Sequence, residues 1–200
     1  MDSSSGLSYI LLVVLVALSA FFSASETALN SINKIRMKNM ADNGDQRAAK
    51  TLEVAEKYES MISTILIGNN IVNIGSASIA TTLFTIWLGA DKGAAISTVV
   101  MTIVVLIFGE VLPKNYAKAN ADSLAMTVAG PISVLMVIFK PLSAVLNFLS
   151  GIMTKLTGGK EDKPSVTEEE LKYLVESIEE EGVLEETESD LVRSALEFDE

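Results

Sequence analysis

Residues 60–90 read SMISTILIGNNIVNIGSASIATTLFTIWLGA, 31 positions without one charged side chain. A helix needs about 20 mostly apolar residues to cross a bilayer, so this stretch is long enough to span. Two more stretches lie on either side of it. No charge occurs from Ser3 to Ser25, and none from Gly93 to Gly109, after which Glu110 stands alone before Lys114. The expectation is three spans, over 6–29, 61–88 and 94–114.

The connections orient these spans. The segment 32–59 is charged and helix-prone, with Lys34, Arg36, Lys38, Arg47, Lys50 and Lys57, whereas the turn at 89–93 has Lys92 as its one base. Basic loops stay inside, which puts 32–59 in the cytoplasm and the N-terminus outside. Asp2 and the serines after it are unlike the positive start of a signal peptide, so the first span is read as retained. Two further apolar stretches, 123–139 and 141–154, are broken by Pro131 and by Lys140-Pro141. A fourth span is open there and would place the chain's end outside. The favoured expectation is a kinked helical pair at the cytoplasmic interface, or partly re-entrant.

Composition narrows the chemistry. The 200 residues are 49% hydrophobic and include neither Cys nor His. Disulfides, thiolate or imidazole metal sites and His- or Cys-dependent triads are thereby excluded. An ion bound here must be held by oxygen, which suits Mg²⁺, Ca²⁺ or Na⁺. The net charge of −11 is uneven, because residues 160–200 hold 16 acids against 4 bases and residues 1–159 hold 10 against 11. That shift marks a boundary between a transmembrane domain, 1–159, and a cytoplasmic acidic helical segment, 160–200. Neither half has the basic patch of a nucleic-acid binder. In the acidic segment, Thr167 and Glu170 form a capping box before Leu171, Leu174, Val175 and Ile178. Gly182 breaks that helix, and a second is expected from about Glu186. Its pattern is still running at Glu200, as expected of a chain cut from a longer protein. The expected fold is therefore an all-α membrane protein: three transmembrane helices, a juxtamembrane belt (32–59 and 123–157) and a small acidic helical segment.

Polar side chains inside apolar spans are expensive and mark function. Three clusters qualify. FFSASET (21–27) offers Ser23, Ser25 and Glu26, although hydroxyls also serve helix packing and back-bond to their own helix. GNNIVN (68–73) holds Asn69, Asn70 and Asn73, with Asn70 and Asn73 three apart on one face. FGEVLPK (108–114) is the most telling. In a regular helix Pro113 deprives the Gly109 carbonyl of its donor, beside the Glu110 carboxylate. A plain proline kink, with Glu110 paired to Lys114, is the bland alternative. At 1.5 Å rise per residue, Ser23, Asn70 and Gly109–Glu110 all fall roughly 6–9 Å to the cytoplasmic side of the membrane centre.

These motifs, FSASETAL (22–29), GNNIVN (68–73) and FGEVLPK (108–114), with TEEEL (167–171), EEGVL (180–184) and ALEF (195–198), resemble the CorC/CNNM (cyclin M) family of Mg²⁺ transport proteins. The resemblance covers nearly the whole chain. It implies three spans, a juxtamembrane belt, a homodimer in the plasma membrane and an inward-opening cavity with a Mg²⁺ site. The matching positions are Ser23, Ser25, Asn70, the Gly109 carbonyl and Glu110. It also implies ATP-binding CBS domains further on, which this chain lacks, so no nucleotide site is expected. The expected activity is Mg²⁺ efflux by alternating access, with Na⁺ as candidate coupling ion and membrane lipid as surroundings. The competing expectation is a Mg²⁺ sensor or regulator that binds without transporting. An intramembrane enzyme has no convincing nucleophile–base pair to rest on.

Overall fold

The computed structural model describes residues 3–156, 175, 177 and 186–197. The Thr167 cap, the helix after it and the Gly182 break lie outside the described residues. Residues up to Ile152 form one compact unit and Met153–Glu200 a second. All described elements are helical: α1 (Ser3–Asn30), α2 (Lys34–Asp42), α3 (Gln46–Glu56), α4 (Tyr58–Leu88), α5 (Ala90–Val104), a π-helical segment π1 (Val105–Val111), α6 (Leu112–Ala119), α7 (Ala121–Ile138), α8 (Lys140–Leu156) and α9 (Glu186–Glu197).

The first unit is apolar outside and buries polar side chains within an apolar core. Val13, Ile74, Ile86 and Trp87 are each more than 60% exposed, while Ser19, Ser23, Ser25, Thr64, Ser76 and Ser97 are buried. Such a surface suits hydrocarbon rather than water, and the chain is an integral membrane protein.

The expected count of three spans is not matched one for one. Four stretches are long and apolar enough to cross: Gly6–Asn30, Tyr58–Leu88, Ala90–Ala119 and Ala121–Ile138. The fourth, α7, runs straight through Pro131, which was expected to break it. Proline removes one hydrogen bond and bends a helix without necessarily ending it, and here it stands on the exposed side. The chain does break at Lys140-Pro141, where Pro141 takes the second position of α8 and its missing N–H is harmless.

Helices α4 and α5 form a tight hairpin. Its turn is a single glycine, Gly89, in the left-handed region at φ 83°, and Gly93 lies directly against the Thr85 backbone. Between α1 and α4 the chain makes two short capped helices. Asn33 accepts from the Arg36 N–H at 2.9 Å, and Asp45 accepts from the Arg47 N–H at 2.8 Å. Helix α7 lays Ala125, Val128, Ala129, Ile132 and Met136, one face of a helix, into the core with Phe22, Leu29, Met61 and Ile65. Its start is held by Asp122, which accepts from the Asn33 N–H and from Arg36, both at 2.9 Å. Its end lies beside Lys50, Lys57 and Ser60.

Candidate functional site

The three polar clusters approach one another where α1 packs against α4 on one side and π1 on another. At their junction is Ser19. Its hydroxyl donates to Asn69 Oδ1 at 3.1 Å, and Asn73 Nδ2 donates to the same oxygen at 3.4 Å. Gly109 sits against Ser19 so closely that a Cβ there would stand 2.8 Å from the hydroxyl oxygen. Directly before Asn69 on α4, Gly68 admits the Phe22 ring in the same way. Glycines on α4 and π1 thus let α1 approach closely enough for short polar side chains to reach across.

The third span changes register at this point. The Leu112 N–H donates to the Ile107 carbonyl, five residues back. In that register Pro113 would have served Phe108, whereas in the α-helical register it would have served Gly109. The missing donor therefore loosens the Phe108–Gly109 pair of carbonyls, not Gly109 alone, because the helix expected to be regular is widened by one residue per turn. π-segments of this kind recur at functional sites.

The predicted site residues fare differently. Ser23 is buried, and its hydroxyl has no partner. It shares a face with Ser19, four positions earlier. Ser25, about 200° further round α1 than Ser23, donates to the Phe21 carbonyl at 2.7 Å. Asn70 is exposed, and its amide nitrogen donates to the Leu66 carbonyl at 2.8 Å, which leaves Oδ1 open. The inward amide pair is Asn69 with Asn73, four apart, and not Asn70 with Asn73. The Asn73 Oδ1 is buried and unpartnered. Glu110 is half-buried, and Lys114 turns from it to Glu26 on α1, at 3.2 Å. Ser23, Asn70 and Glu110 are not hydrogen-bonded to one another. Sequence reasoning missed Ser19 and Thr64, whose hydroxyl is also buried without a partner. The four-residue spacing of Ser19 and Ser23 was the available signal. Among the described residues no group of three His, Cys, Asp or Glu side chains could hold a metal.

Residues 10–188 match the cyclin M transmembrane N-terminal domain. The chain belongs to this family. Relatives of the cyclin M domain include a UPF0053 protein of Haemophilus influenzae, 36% identical over 84% of this chain and 40% of its own length. The UPF0053 inner membrane protein YfjD of Escherichia coli is 35% identical over 79% of this chain and 37% of its own. A polyamine export protein of Haemophilus influenzae is 25% identical over 94% of this chain and 46% of its own. The cyclin M domain thus spans under half of each of these relatives.

Proposed function

We propose that this cyclin M domain carries Mg²⁺ across the plasma membrane, outward, by alternating access. The observation that carries the reading is a set of free oxygens in an apolar interior. Ser23 Oγ is buried without a partner, and among the described residues Glu110 forms neither a hydrogen bond nor an ion pair. Buried polar groups are nearly always satisfied, so orphaned ones point to an absent ligand. All the free atoms are oxygens, which is what a hard cation recruits. Mg²⁺ keeps part of its water, so Ser23, Asn70, a carbonyl of Phe108–Gly109 and Glu110 need replace only some of its shell. Ser19 and Asn69 hold the amides in place. Ser25 faces elsewhere on α1 and has a lesser part.

Topology supports the inward orientation. Helix α7 begins against Asn33 and Arg36 and ends beside Lys50, Lys57 and Ser60. Apart from Ser60, in the first turn of α4, these lie in the one segment between α1 and α4. Both ends of α7 therefore rest on the same side of the bilayer, which favours three spans with α7 in the belt. The six bases of that segment favour the cytoplasmic side. A partner copy, Na⁺ coupling and the absence of enzymatic activity complete the reading.

The test is Mg²⁺ flux in liposomes containing the purified chain, with and without a Na⁺ gradient, beside Glu110→Gln and Ser23→Ala. Flux that follows the gradient and vanishes in Glu110→Gln supports an exchanger at this site. Binding without flux supports the sensor. The name of the polyamine exporter makes spermidine the control cargo, and spermidine flux without Mg²⁺ flux overturns the ion assignment.

A further inference from the structure

Away from the ion site, a groove of about 420 Å³ runs between α3, the first turn of α4, the end of α7 and the start of α8. Lys50, Lys57 and Lys140 line it, with Glu53 as its one acid. Glu53 takes Lys50 on one carboxylate oxygen at 2.9 Å and Lys57 on the other at 2.7 Å. The two ammonium groups are thus held near each other, and among the described residues Lys140 forms no ion pair. Three cations against one anion leave the groove at +2. The neighbouring acid Glu56 faces a different hollow, with Lys34 and Lys38. The groove's other wall is apolar: Val134 and Val137 are 59% and 72% exposed, over buried Val54 and Met136.

We propose that this groove binds an anionic glycerophospholipid, its phosphate among the lysines and its acyl chains along Val134 and Val137. The charge is complementary to a phosphate, and lysines meet phosphate as point charges without needing a fixed fork. The position suits a lipid. Lys57 directly precedes the membrane helix α4, and Lys140 is separated from the end of α7 by Phe139 alone, so the cations sit at headgroup depth with the apolar wall beside them. Basic pockets on the cytoplasmic side of helical membrane proteins hold anionic headgroups in this way. A lipid seated here would brace α7 against the entry to α4. The proposal rests on the belt lying at the membrane surface, but its test does not depend on which surface that is.

The test is native mass spectrometry of the full chain in detergent, with phosphatidylglycerol or phosphatidylcholine of the same acyl chains. The expected result is preferential retention of phosphatidylglycerol. Lys140→Gln should weaken that preference about fivefold and Lys140→Arg should keep it, while Lys38→Gln, removing an equal charge from the other hollow, should leave it intact. Equal retention of the two lipids, or an equal loss in Lys38→Gln, overturns the proposal. Displacement of the lipid by millimolar inorganic phosphate alone would assign the groove to a free anion and overturn the lipid.

Discussion

Glycines and small hydroxyls set the site's geometry at the level of single residues. Gly109→Ala should destabilise the fold by about 1–3 kcal/mol, because the new methyl meets a serine held by its own hydrogen bond. Thermal unfolding in detergent reads this, and Ser19→Gly in the same chain should recover part of the loss. Gly93→Ala is expected to cost more than Gly68→Ala. At Gly93 the obstacle is the Thr85 backbone, while at Gly68 it is the end of a Phe22 side chain that can move. The sequence marked the motifs that meet here, but it could not assign the individual side chains. Asn69, Asn70 and Asn73 are chemically alike, and only the rotation of α4 against α1 decides that Asn69 is bound by Ser19 and Asn70 faces out.

Charge and hydrogen bonding hold the belt elements. Glu53 on α3 has its carboxyl lowered from 4.5 to about 2, first by the hydrogen bond from Lys57 and then by Lys50. Because the folded value lies below the unfolded one, the stabilisation is complete above pH 4.5 and is lost as pH falls toward about 2. Glu53→Gln should therefore differ in stability from the parent at pH 6, and the difference should shrink through this window in acid titrations followed by circular dichroism. Helix α7 makes a sharper prediction. Cysteines placed at Ser123 and Val137 should both react with an impermeant maleimide from the same side of the membrane. Labelling from opposite sides would make α7 a fourth span. The chain has no native cysteine to interfere.

For the whole molecule, ion binding and stability are linked. If Mg²⁺ occupies the orphaned oxygens, it should raise the unfolding free energy by about 2.7 kcal/mol at a hundred times its dissociation constant. Chelation with EDTA should reverse the shift, and Glu110→Gln or Ser23→Ala should abolish it. An unchanged midpoint in Mg²⁺ would sink the site.

The sequence by itself determined the helical membrane fold, because charge-free runs of such length have no other stable solution in a bilayer. It also marked the three polar motifs, since each is costly where it stands. Tertiary structure decided the rest. The π-register at Val105–Val111 arises where the third span packs on α1, and no local propensity announces it. The path of α7 was likewise beyond periodicity. A helix of this length and hydropathy can cross a membrane or lie along it, and periodicity does not predict what its two ends touch, Arg36 at one and the Lys57 groove at the other.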